Sequence, residues 1–310
     1  MQALALLFIL LPQASCGFFA VTFAPDKEAK SSEPSALDYA YAKFWEVFHG
    51  GHYDRINEAM IPLKAAYLKN PHDPTLAARI GFLHVWSLSE RHRLNDIPPM
   101  VTDHATLARK YFEEANKLAP DDARYKGFHS VLLMTEGTIH NDVAMIRKGY
   151  FQGLESIRDW PQFNNFTVGY VLSRHPARSE RFAEGLEMQW RTLDECLDRS
   201  IPRDSLELGS LEGIEDAEHR PEYKRACWNS KSAPYNFQGF FLNFGDMLLK
   251  AGESQLARAA YLVAKEHRDF GTWPYQDELL KRLSPQSGHE GDDPLMIDTS
   301  YACMACHQAH

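Results

Sequence analysis

The chain has 310 residues, 44% of them hydrophobic and 24% charged, with a formal net charge of -9. That is an ordinary soluble-globular composition, long enough for one large core or two modest ones. The negative balance excludes a phosphate-tracking nucleic-acid binder, which needs a basic surface, and suits a chain that meets basic partners.

The opening residues do not read as fold. Ala3 to Leu11 is an unbroken apolar run followed by Pro12 and the small residues around Ser15, Cys16 and Gly17. This is the layout of a secretory signal over residues 1–16, too short to span a bilayer, although Met1 and Gln2 carry no positive charge. Cys16 has two readings. It is a candidate lipid-bearing first residue of a mature lipoprotein, which would tether the chain to a membrane, or it is lost with a signal cleaved after Gly17. Residues 17–35 read as a flexible leader, because 25–35 are rich in Pro, Ser and charge and have no period.

From residue 36 to 284 the apolar positions recur at helical spacing, with no convincing strand. Tyr41, Phe44, Trp45 and Phe48 mark the apolar side of the first helix. Ala59, Leu63 and Ala66 ahead of Pro71 mark a second, with Gly81 on the helix that follows. Residues 91–102 look like an insertion between paired helices, and Ala108, Phe112 and Ala115 ahead of Pro120 mark the next. Three further helical segments fall within 141–200. Residues 201–235 break the period and are locally acidic. They are either a functional loop over a concave face or, as is commoner, a solvated connection. The clearest unit is 239–269, where Gly245, Gly252, Ala257, Tyr261 and Ala264 place small residues and one aromatic at helix-pair spacing. Residues 285–310 then form a linker and a last helical turn.

These helical units resemble the tetratricopeptide repeat, which implies an all-α, degenerate helical-repeat solenoid with a groove for a protein or peptide partner. A generic helical bundle is the competing description.

The sharpest signal is Cys303–Met304–Ala305–Cys306–His307. It matches C-x-x-C-H and resembles the attachment motif of c-type cytochromes. Two thiols one helical turn apart reach the two vinyl groups of one porphyrin, and the adjacent imidazole meets the iron. The resemblance implies one covalent haem c, with thioethers at Cys303 and Cys306 and His307 as proximal ligand. Zinc binding and dithiol exchange are weaker readings, since no second tight Cys/His pair and no thioredoxin-like strand pattern accompany the motif. Thr299 or Ser300 is expected to cap the short helix.

His310 and Met304 share the face of His307 and cannot easily reach the other side of one ring. Met296 is therefore the first candidate for the distal position, set against the usual role of Met as core filler; His289 and His267 are others. His49–Gly50–Gly51–His52 reads as a glycine helix stop more readily than as a metal site. Cys196 and Cys227 remain, either to pair as a disulfide in an oxidising compartment or to stay as buried thiols. These expectations describe an exported electron carrier, in the periplasm or at the outer surface, rather than an enzyme with its own substrate. The alternatives are an assembly scaffold with structural haem and, as a third class, a haem enzyme with an open distal site, for instance a peroxidase.

Overall fold

A computed structural model describes residues 27–206, 221–284 and 295–310. The signal, Cys16 and His289 lie outside these residues. The described residues hold twelve α-helices and no strand: α1 Pro34–His49, α2 Ile56–Lys69, α3 Pro74–Ser89, α4 Asp103–Leu118, α5 Ala123–His140, α6 Val143–Asp159, α7 Pro161–Leu172, α8 Glu180–Leu197, α9 Asn236–Lys250, α10 Ser254–Glu266, α11 Gln276–Leu283 and α12 Met304–His307.

Local chemistry sets the boundaries. Asp73 accepts hydrogen bonds from the Thr75 and Leu76 amides at 2.9 and 3.2 Å, with Pro74 opening α3. Asp122, Asp142 and Ser179 cap α5, α6 and α8 in the same way, each occupying donors that the first helical turn leaves free. Gly252, at φ +88°, turns the chain between α9 and α10 in a conformation that costs glycine little.

Consecutive helices pack against one another along the chain, α1 with α2, α3 with α4, α5 with α6, α7 with α8 and α9 with α10. This is an all-α, repeat-like architecture. The unit at 239–269 is the α9–α10 pair. A methyl group on Gly245 would lie 2.2 Å from Cε1 of Tyr261, so the small residue is what lets the two helices approach. The helix α9 is buried nearly all round, with Phe237, Phe241, Phe244 and Met247 in the core and the polar Gln238, Asn243 and Asp246 enclosed beside them.

Two segments differ from expectation. Residues 27–33 of the leader are tied to the turn between α2 and α3, where the Lys30 amide donates to the His72 carbonyl at 2.9 Å and the Ser32 amide to Asp73 at 3.1 Å. The described part of 201–235 is only partly solvated: Pro221 to Tyr223 are exposed, while Ile201, Cys227 and Tyr235 are buried. Cys196 and Cys227 are joined in a disulfide with Cα atoms 5.5 Å apart, which pins this segment to the end of α8. Trp228 beside it is buried.

The last helix ties the ends of the array together. It packs against both α1 and α9. Among the described residues no helix is long and apolar enough to cross a membrane.

Candidate functional site

A chain end normally frays unless something holds it. Here residues 300–309 are held from several directions. The Arg93 Nε donates to the Ser300 carbonyl at 2.6 Å and Trp273 Nε1 to the Ala305 carbonyl at 2.8 Å. The Tyr235 amide donates to the Cys306 carbonyl at 3.0 Å, and the Ala309 amide to the His49 carbonyl at 2.7 Å. Gly239 on α9 allows the closest approach, since a methyl there would lie 2.2 Å from the Cys306 sulfur.

The cap of α12 comes from a residue remote in sequence. Oε1 of Glu90 accepts from the Cys303 and Met304 amides, both at 2.8 Å, while Oε2 accepts from Trp86 Nε1 at 2.8 Å and Arg93 Nε at 2.7 Å. Thr299, expected with Ser300 as a candidate cap, instead donates its hydroxyl to the Met296 carbonyl at 2.7 Å and accepts from the Tyr301 amide at 3.4 Å. Burial pushes the Glu90 carboxyl above its ordinary range, and the neighbouring Arg93 pulls it back.

Beside this tail lies a cavity of about 500 Å³, within the usual range for cofactor sites. Aromatic side chains are the commonest lining, and the cations Arg79, Arg124, Arg225 and Lys231 also face it. Phe44 and Phe48 come from α1, Phe82 from α3, Phe128 from α5, Phe163 and Phe166 from α7 and Phe240 from α9. Residues 226–233 close one side, carrying the disulfide, Lys231 and Ser232. The helical spacing explains this convergence: Thr75, Ala78, Arg79 and Phe82 form one stripe of α3, and Gln162, Phe163 and Phe166 one stripe of α7.

His307 lines the same cavity, its ring 5.1 Å from that of Phe48. Its Nδ1 lies 2.7 Å from the Ser232 carbonyl oxygen. A carbonyl only accepts, so Nδ1 carries the proton and Nε2 keeps its lone pair. Burial lowers the imidazole to about 4, which keeps it neutral around pH 7. His49 is a close neighbour, packed 4.4 Å from Trp45, with a buried Nε2 that has no hydrogen-bond partner.

The two thiols sit at the foot of α12 rather than on the main cavity wall. Tyr170, whose hydroxyl donates to the Ala302 carbonyl at 3.3 Å, stacks on Phe166 at 5.5 Å and connects the cysteines to the cavity stripe of α7. Burial raises the Cys306 thiol to about 12 and the Cys303 thiol well above its ordinary range, with Glu90 adding to the latter. Protonated thiols are poor zinc ligands and slow in disulfide exchange. Among the described residues no group of three or more His, Cys, Asp and Glu is arranged to hold a metal ion.

The structure does not bring every candidate to this place. Met296 is 1% exposed and packs in the core around α9 with Tyr301 and Ala305; it is not among the cavity-lining residues. Met304 is buried in the core of α1–α3. His267 is buried, with its Nδ1 3.0 Å from Gln238 Nε2 and its ring against Phe237. Among the described lining residues, His307 is the only histidine and there is no methionine. Glu90, Ser232, Arg79 and Tyr170 were not singled out from the sequence. The stripe of α3 was legible as one helix face, but nothing local to Glu90 or Ser232 announces a partner more than seventy residues away.

Fold and site together define an all-helical repeat scaffold whose C-terminal segment is locked beside an aromatic cavity with one neutral imidazole on its wall. No family model, no curated protein and no solved structure matches this chain.

Proposed function

We propose that this chain is an exported mono-haem c-type cytochrome that transfers electrons, with its helical-repeat body docking a protein partner in the periplasm or at the outer surface. In this reading Cys303 and Cys306 hold haem c through thioethers and His307 is the proximal ligand. The observation that carries it is the His307 arrangement: Nδ1 fixed on the Ser232 carbonyl at 2.7 Å, and the ring on the wall of an aromatic cavity. A backbone acceptor on the second ring nitrogen sets tautomer and orientation and raises the basicity of the ligating one.

His307 and the aromatic lining fit the group, and Cys303 and Cys306, at the foot of α12, would hold its edge there rather than on the main cavity wall. The macrocycle is flat and apolar, and the lining rings supply dispersion contacts and exclude water. When bound, haem supplies a one-electron couple whose potential is set by its axial ligands and enclosure. The chain contributes a rigid, neutral ligand and a surround that needs little rearrangement when charge changes.

The test is covalent haem staining after denaturing electrophoresis of the exported protein, beside a Cys303→Ala/Cys306→Ala variant. Stain in the parent and none in the variant is expected; an unstained parent, or a stained variant, overturns the reading. A second reading, a haem open to a small exogenous ligand, is favoured by the absence of a second histidine or a methionine among the described lining residues. Binding of carbon monoxide to the ferrous protein, seen as a Soret shift, supports this second reading. An unchanged six-coordinate spectrum supports electron transfer alone.

A further inference from the structure

Arg79 stands apart from the other arginines of the cavity wall, of which Arg124 pairs with Asp122 and Arg225 with Glu222, and from arginines enclosed elsewhere. Arg282 holds Asp246 with two nitrogens, at 2.6 and 3.0 Å, and Arg203 reaches Glu187 and Asp194 at 2.9 and 2.7 Å. Arg79 lines the cavity with its guanidinium 3.3 Å from the centroid of the Tyr41 ring and 5.4 Å from those of Phe44 and Trp45. Its Nη1 is buried and has no hydrogen-bond partner. The nearest carboxylate, Asp73, is committed to capping α3 and to the Ser32 amide.

A guanidinium nitrogen buried without an acceptor is costly, and a partner of opposite charge offsets that cost most fully. Aromatic faces supply part of that compensation but offer no acceptor for Nη1. Burial accordingly depresses the guanidinium from its ordinary value. The planar fork of arginine matches a carboxylate with two parallel hydrogen bonds.

We infer that Arg79 is the anchor for a carboxylate of the molecule that fills this cavity, held in place by the Tyr41 ring behind it. The inference deepens the cytochrome reading and rests on it where that carboxylate is a haem propionate. The same chemistry also fits the headgroup of a free apolar acid, and the experiment separates the two sources.

Full-length Cys303→Ala/Cys306→Ala protein, checked for native helicity by circular dichroism, is titrated with haemin, with haemin dimethyl ester and with dodecanoate. The same is done with Arg79→Gln and Arg79→Lys added. The expected result is haemin bound at least roughly tenfold more tightly than its ester, a preference that R79Q abolishes and R79K partly keeps. If neither porphyrin binds but dodecanoate does, and R79Q weakens it by a similar factor, the anchor stands for an apolar acid, and the covalent stain of the parent decides the haem reading separately. Equal affinity for haemin and ester, or a preference that R79Q leaves untouched, overturns the anchor, as does dodecanoate binding that ignores R79Q. Should the double-cysteine variant not fold, the holoprotein decides instead. R79Q is then expected to lower the midpoint potential and to move the propionate break in its pH dependence upward. An identical potential profile overturns the proposal.

Discussion

Replacing Glu90 by alanine is the perturbation that best isolates what holds the C-terminal segment. The side chain is fully buried and accepts four hydrogen bonds, two from the tail amides of Cys303 and Met304, one from Trp86 and one from Arg93. Arg93 keeps other acceptors, the Ser300 carbonyl at 2.6 Å and the Tyr275 hydroxyl at 3.1 Å. Three buried donors are therefore left without partners, at about 1–3 kcal/mol each, and a buried charge pair is broken. Because these losses share one cavity that water can partly fill, the expected total is about 3–5 kcal/mol rather than their sum. Glu90→Gln should cost less, about 2 kcal/mol, because its amide oxygen can still serve the two tail amides while its NH2 group faces the donors of Trp86 and Arg93. Urea unfolding read from midpoint and slope measures both variants, and hydrogen exchange at Cys303 and Met304 reports the tail directly. Alanine and glutamine variants within about 0.5 kcal/mol of the parent, with both amides still protected, would refute the idea that Glu90 clamps this segment.

Gly239→Ala places a methyl against the Cys306 sulfur and the Ala305 carbonyl. It is expected to destabilise by about 1–3 kcal/mol and to lower the yield of haem-stained protein, both measured on the exported chain. Opening the disulfide by Cys196→Ser/Cys227→Ser removes a cross-link spanning 31 residues, an entropic loss of roughly 3.5 kcal/mol on the chain model, read as a lower urea midpoint. Acid should destabilise the fold through His84 and His129, which burial lowers to about 3 and about 4. The unfolded chain takes up these protons near pH 6.5 and the folded chain refuses them. Stability is thus full above about 6.5, falls as pH drops toward 4, and falls less steeply in His129→Gln, as thermal unfolding across that window will report.

Much of the helical frame was legible because its signals are local. Gly245, Gly252 and Tyr261 mark one helix pair by spacing alone, and the structure places them at the contact and the turn of α9 and α10. The C-x-x-C-H pattern is as local, lying within five consecutive residues. The long-range partners were not legible. Glu90 caps a helix more than two hundred residues downstream, and Ser232 offers only a backbone carbonyl, which leaves no trace in residue identity. The stretch 201–235 stayed ambiguous for a related reason. Lacking a helical period, it read most simply as a solvated connection, yet residues 226–233 wall the cavity once the disulfide draws them in. Met296 illustrates the opposite limit: its apolar side chain suits either a ligand or core filler, and the structure buries it in the core around α9.

The most direct measurement of the central claim is the intact mass of the exported, natively matured protein, taken with and without alkylation of free thiols. The expected spectrum shows one haem added to the chain and no alkylation at Cys303 or Cys306, with Cys196 and Cys227 reacting only after reduction. A mass without haem, with both tail cysteines alkylated, would contradict the account.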